Sequence, residues 1–175
     1  MRHTFQRVQG VTQEVVVTTK TTEEAKRLSN LLPNARIVLD DTGIYCPLVG
    51  LLSGLRALNT PYVLALPCDA PFVRPAVIRI LFERALGHDG AVPVDDKKLE
   101  PLCAIYHRAN AIQAAEKAIA ENRMSLHDML AQLPALIQVP KEDLRRADPH
   151  LFTFLNINTN SDLALAEHIA SNDLD

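Results

Sequence analysis

Five consecutive apolar residues, Tyr62 to Leu66, run straight into Pro67-Cys68-Asp69-Ala70-Pro71. A strand with one wet face alternates in polarity. An unbroken run predicts a strand covered on both faces, as in a parallel sheet between helical layers. Just upstream, Leu48, Leu51, Leu52, Leu55 and Leu58 recur at helical spacing. Pro47 suits the first turn of that helix. Asn59-Thr60-Pro61 ends it, because a residue before proline avoids the right-handed helical region. Asp69 therefore lies just past the carboxyl end of a buried strand, where open α/β sheets bind ligands. A carboxylate there suits a magnesium ion held against phosphates. It equally suits an Asx turn that breaks the strand. Gly50 and Gly54 share a face of the helix. They allow either close packing on a sheet or close approach of a ligand.

The rest of the chain predicts an alternation of strands and helices. Strands are expected at Glu14–Thr18, Ala35–Leu39, Gly90–Val94, Glu100–Tyr106, Leu136–Val139 and Phe152–Asn158. Helices are expected from Thr21 to Leu31, Arg74 to Leu86, Ala109 to Ala120, Ser125 to Leu130 and, capped by Asn160 or Ser161, to about Ala170. Met1 to Gln9 reads as the tail of a helix stopped by Gly10. This order predicts an α/β fold, a mostly parallel, doubly wound sheet between two helical layers. At 175 residues a single domain spanning 1–175 is expected.

A net charge of −3 gives no electrostatic footprint for nucleic acid. Aromatic residues make up 5% and tryptophan is absent, so no stacking platform for single strands is expected. No apolar run reaches membrane-spanning length, and nothing reads as a signal peptide. Cys46, Cys68 and Cys103 have no metal-ligand spacing, which predicts reduced, buried thiols in a cytoplasmic protein. The histidines, among them His107 and His127, have no zinc spacing and are expected to be structural or superficial.

Cys46-Pro47-Leu48-Val49-Gly50 and Pro67-Cys68-Asp69-Ala70-Pro71-Phe72 resemble the G-P-L-A-G turn and P-C-D-x-P-[FY] strand end of the molybdenum cofactor guanylyltransferases (MobA type). Asn156-Ile157-Asn158-Thr159 resembles that family's N-x-N-T-P-x-[DE]-L, with Asn160 in place of proline, then Ser161, Asp162 and Leu163. The resemblance implies a Rossmann-like fold of the nucleotide-diphospho-sugar transferase type and the following roles. Asp69 is the magnesium ligand and the catalytic residue. Thr18 and Asp41, with Asp69, contact the nucleotide; Thr18 stands where the family usually has asparagine. Asn156 and Asn158 face the pterin side, though helix capping and strand termination explain the same residues. Glu100-Pro101-Leu102 resembles the family's pterin-side strand entry, and a proline at a strand start is also ordinary.

The family opens with a strand and a glycine-rich loop that cradles phosphates through backbone N–H groups. Here the glycines are Gly10, Gly43, Gly50, Gly54, Gly87 and Gly90, and no two adjoin. The matched part of the family lies downstream of that loop, so the first strand and loop are expected to be missing. In a doubly wound sheet that strand is central, between Val15-Val16-Val17 and Tyr62–Leu66. The expectation is an N-terminally truncated domain whose gap is a matter of a late start, of direct re-pairing of those two strands, or of a strand from another chain.

The resemblance implies a nucleotidyltransferase that moves GMP from GTP to molybdopterin, with Mg2+ as cofactor. Its partners would be GTP, molybdopterin and a molybdoenzyme or other cofactor-biosynthesis protein, with no nucleic acid or membrane, and association into a homo-oligomer through unpaired edges. Two alternatives stay open. One is a cytidylyltransferase or another nucleotidyltransferase of the same fold. The other is a non-catalytic homologue that binds pterin or a partner enzyme.

Overall fold

The computed structural model describes residues 1–40, 43–44 and 46–172. The chain opens with helix α1 (Arg2–Val8), then strand β1 (Val16–Thr19), helix α2 (Thr22–Leu31) and strand β2 (Arg36–Leu39). Thr21 caps α2, its side chain accepting from the Glu24 N–H at 3.1 Å. Helix α3 (Pro47–Ala57) follows, with proline in its first turn as expected, and leads to β3 (Tyr62–Ala65). Then come α4 (Pro75–Ala85), β4 (Gly90–Asp95), β5 (Lys98–Leu99), β6 (Ala104–His107), α5 (Arg108–Ala120), α6 (Leu126–Leu130), β7 (Leu136–Pro140), α7 (Lys141–Leu144) and α8 (Asn160–Asn172).

Two sheets result. β1 and β2 pair in parallel, Val16 opposite Arg36 to Thr19 opposite Leu39. The second runs β3-β6-β4-β5, with β7 added in parallel beside β4. β6 is antiparallel to both β3 and β4, so β3, β4 and β7 point the same way. Asp96 and Lys97, at φ 42° and 74°, make the tight turn from β4 to β5.

Helices cover both faces. On one, Leu48, Leu52 and Leu55 of α3 pack with Ala111, Ala115 and Ala118 of α5 against Val63, Ala104, Tyr106 and Val92. On the other, Val77, Leu81 and Ala85 of α4 meet Ala91 and Ile105, while Val8 of α1 packs on Val73 and Ile78. Neighbouring residues of β4 and β6 thus point into opposite cores, which is why these strands read as continuous apolar runs. Each fully buried leucine contributes about 1.5–3 kcal/mol by leaving water.

Several expectations need correction. Val15–Val17 does not re-pair with Tyr62–Leu66: β1 has β2 as its partner and β3 has β6, and a cavity of about 680 Å³ lies between them. Phe152–Asn158 is not a strand. Leu151 adopts a left-handed φ of 56° and starts a 3-10 turn at Phe152–Phe154, after which the chain runs irregularly to Thr159. Thr153 explains this: its N–H donates to the buried Asp148 carboxylate at 2.7 Å, and its hydroxyl accepts from Arg74 N at 3.1 Å. These local bonds take the place of a ladder. Glu100–Cys103 is a turn, and only Ala104–His107 is strand. Of the thiols, Cys103 alone is buried; Cys46 is half-buried and Cys68 exposed.

Among the described residues, no helix is long and apolar enough to cross a membrane.

Candidate active site

β3 ends at Ala65, and the chain turns at Cys68-Asp69. Three contacts fix this turn. The Thr4 hydroxyl of α1 lies 3.2 Å from the Cys68 carbonyl and 3.1 Å from that of Ala70. The Ile157 N–H donates to the Asp69 carbonyl at 3.0 Å. Phe72, just beyond, is buried against Ala166 and Ile169 of α8, with Phe152, Leu155 and Ile157 around it.

The backbone of Asp69 is therefore held from two sides, while its half-buried side chain makes no hydrogen bond or ion pair among the described residues. The Asx-turn reading requires a side-chain bond that is not made. A carboxylate clamped through its backbone and left uncommitted is poised for a ligand.

Asn156 and Asn158 flank Ile157 in sequence, one residue either side of its contact with the Asp69 carbonyl. Neither amide side chain is hydrogen-bonded among the described residues. The Asn158 and Thr159 N–H groups both donate to Asp162, at 3.0 and 2.8 Å, and Asp162 N donates back to the Thr159 hydroxyl at 3.2 Å. Thr159, rather than Asn160 or Ser161, thus caps α8. These bonds, led by that from the Asn158 backbone, hold the Asp162 carboxyl below the usual aspartate range.

Thr18 lies on β1 with its side chain toward α3. A Cβ on Gly50 would sit 3.5 Å from Thr18 Oγ1, and one on Gly54 would sit 3.4 Å from its Cγ2. Close packing of helix on strand accounts for these glycines. Thr18 and Cys68 both line the cavity between β1 and β3, which stops short of Asp69. Asp41 lies outside the described residues.

Sequence reasoning passed over the ion pair between Lys20 and Asp40, at the carboxyl ends of β1 and β2. Lys20 also donates to the Ile44 carbonyl. Asp40 is almost completely buried. The signal was a lysine and an aspartate each one residue past a strand of a parallel pair.

No group of three or more His, Cys, Asp or Glu side chains that could hold a metal occurs among the described residues. The donor at the turn after β3 is a single carboxylate, that of Asp69. It fits magnesium, which keeps several waters and takes one or two carboxylates together with substrate phosphates.

A sequence profile of the MobA-like NTP transferase domain matches residues 1–136. A probable molybdenum cofactor guanylyltransferase of Methanosarcina mazei is 32% identical over 162 residues, covering 87% of this chain and 70% of that protein. A molybdenum cofactor guanylyltransferase of Desulfosudis oleivorans is 33% identical, over 77% of this chain and 66% of that one. Among solved structures, molybdopterin-guanine dinucleotide biosynthesis protein A from Archaeoglobus fulgidus superposes with a TM-score of 0.77 at 31% identity, covering 90% of this chain and 78% of that one. The 2-C-methyl-D-erythritol 4-phosphate cytidylyltransferase from Thermus thermophilus has a TM-score of 0.73 at 20% identity, covering 97% and 87%; it shares the fold.

Proposed function

Since this chain belongs to the MobA-like NTP transferase family, we propose that it is a guanylyltransferase of molybdenum cofactor biosynthesis, acting on GTP and molybdopterin in the cytoplasm. The phosphate of molybdopterin attacks the α-phosphorus of GTP, the bond to the β-phosphate breaks, and pyrophosphate leaves. Catalysis of this kind rests on positioning and on neutralising charge.

The observation that carries the reading is the turn after β3. Asp69 is held there through its backbone, and its carboxylate has no partner among the described residues. Asp69 is the residue that would hold Mg2+, which when bound supplies positive charge to the phosphates. Asn156 and Asn158 are proposed to orient the acceptor, adding hydrogen-bonding capacity without negative charge. Thr18 and Asp41 are proposed nucleotide contacts. The test is formation of the guanine dinucleotide from GTP and molybdopterin by the purified chain, with CTP as the competing donor. Product from CTP alone would replace the guanylyl assignment with a cytidylyl one.

One observation favours a second reading. No two of the chain's glycines adjoin, so these residues contain no glycine-rich phosphate loop. A module that binds pterin without transfer would take up pterin but not magnesium-GTP in a calorimeter.

A further inference from the structure

Two segments meet at the turn after β3, 69–74 and the strap 153–157 before α8, and they are joined at two places. One join is the Ile157 N–H on the Asp69 carbonyl, at 3.0 Å. The other is built on Asp148. Its carboxylate is fully buried. Oδ2 accepts from the Thr153 N–H at 2.7 Å, and Oδ1 faces Arg74 Nε at 3.2 Å. Thr153 closes the triangle, its hydroxyl accepting from Arg74 N at 3.1 Å. Between the joins in sequence, Phe72 meets Phe152 with ring centroids 6.1 Å apart.

A carboxylate taken wholly out of water destabilises a fold unless its partners are well placed. Here Oδ1 has an ion-pair partner in Arg74 but no hydrogen bond among the described residues. Leu151 N donates to the Asp148 carbonyl at 2.9 Å and stands at a φ of 56°, a conformation that leucine adopts only where its surroundings impose it. An apolar side chain at 148 would fill the same space without a buried charge. What the carboxylate adds is direction, because it aligns an N–H of the strap with a guanidinium of the other segment. After Phe154 the strap is irregular and has no ladder to guide it. Asn156 therefore stands on a span fixed at one end through Asp148 and at the other through Asp69.

We infer that Asp148 is a positioning residue for the acceptor. By holding Thr153 against Arg74 it sets the path of the strap, and with it where Asn156 stands relative to the Asp69 turn. This rests on the reading proposed above, in which Asn156 and Asn158 orient the acceptor and Asp69 serves the nucleotide. The Asp69 turn has a further support of its own, the Thr4 hydroxyl on the Cys68 and Ala70 carbonyls. The effect of loosening the strap is accordingly one-sided, on the acceptor and not on the nucleotide.

The test measures the Kd of molybdopterin and of magnesium-GTP by calorimetry, kcat and both KM values by pyrophosphate release, and amide exchange at Ile157. Asp148→Asn keeps the volume and an acceptor for the Thr153 N–H, and removes the charge that faces Arg74. Molybdopterin is expected to bind roughly tenfold more weakly, with its KM raised alike, while magnesium-GTP stays within about twofold. Exchange at Ile157 is expected to quicken by on the order of tenfold, with Ala114 and Ala115 inside α5 unchanged. Thr153→Val removes the hydroxyl from Arg74 N and acts in the same direction. Thr153→Ser keeps that hydroxyl and retains the values of the unaltered chain, so this pair decides the matter if Asp148→Asn folds poorly. A merely structural role lowers kcat through the active fraction and leaves both KM values in place, and that result overturns the inference. So does molybdopterin affinity that is unchanged, weakened equally with magnesium-GTP, or weakened without faster exchange at Ile157. If the unaltered chain binds both ligands and transfers nothing, the transferase reading falls, and the one-sided change in binding still decides the role of Asp148. If the unaltered chain does not bind molybdopterin, both fall.

Discussion

Ile157 donates its backbone N–H to the carbonyl of Asp69 at 3.0 Å, so the segment before α8 fastens the turn that ends β3. The bond uses the backbone of Asp69 and leaves its carboxylate alone. Asp69→Asn keeps shape and removes charge. Stability is expected to stay within about 0.5 kcal/mol, as for substitutions that break no internal contact. Turnover is expected to fall by at least about 100-fold, the scale of losing one transition-state contact. Pyrophosphate release and a melting curve on the same preparation check both, and magnesium-dependent turnover retained by the variant would defeat the assignment.

Gly90 opens β4 at φ 154°, and a Cβ there would lie 2.2 Å from the Ile105 carbonyl oxygen. That oxygen belongs to the paired β6 backbone and cannot swing aside. Gly90→Ala is expected to cost roughly 3 kcal/mol or more, lowering the melting point by roughly 6–12 °C for a chain of this size. Gly50→Ala serves as the contrast. Its added Cβ would meet Thr18 Oγ1 at 3.5 Å, an ordinary contact, and helix propensity favours alanine by roughly 1 kcal/mol.

Asp162 ties the start of α8 to Asn158 and Thr159, and its carboxyl is held below the ordinary aspartate range by those bonds. A carboxyl depressed on folding stabilises the fold above its unfolded pKa, and that contribution is lost as pH falls through the folded value. The protection of the Asn158 and Thr159 amides, relative to the intrinsic exchange rate at each pH, is therefore expected to fall on acidification below the usual carboxylate range. NMR titration follows this directly. In Asp162→Asn the acid-dependent step at these two amides is expected to disappear.

Burial, with Glu100 adding to it and Lys141 opposing, pushes the Cys103 thiol up to about 12. At pH 8 it carries almost no thiolate and is inert. Cys68 is exposed, and the Cys46 thiol, half-buried, donates to the Met124 carbonyl at 2.7 Å. A disulfide reagent is expected to label Cys68 first, Cys46 slowly and Cys103 only on unfolding. Peptide mapping identifies each site, and Cys68→Ser removes the fast phase.

The apolar run at Tyr62–Leu66 and the leucine spacing from Leu48 made β3 and α3 legible, because a period in sequence is a direction in space. Thr21 and Ser125 announced their helices by capping. The 152–158 stretch was not legible: its alternation suits a strand, but the Asp148 carboxylate and the left-handed Leu151 win its backbone bonds, and both are tertiary circumstances. Asp69 could be placed at the end of a strand from local order alone. That its backbone would be pinned by Ile157, far along the chain, could not. The sequence left open whether Val15–Val17 pairs directly with Tyr62–Leu66, and only the structure separates β1 from β3; the ion pair of Lys20 with Asp40 likewise needed the register of β1 on β2.

Because β1 and β2 share no ladder bond with the remaining strands among those described, the two parts of the molecule are coupled by side-chain packing on helices such as α1 and α3 and by local bonds such as that of Lys20 to the Ile44 carbonyl. Side-chain packing yields more gradually than a continuous hydrogen-bonded ladder. Residues 16–39 are accordingly expected to open first on warming or under protease, with the sheet from β3 to β7 outlasting them.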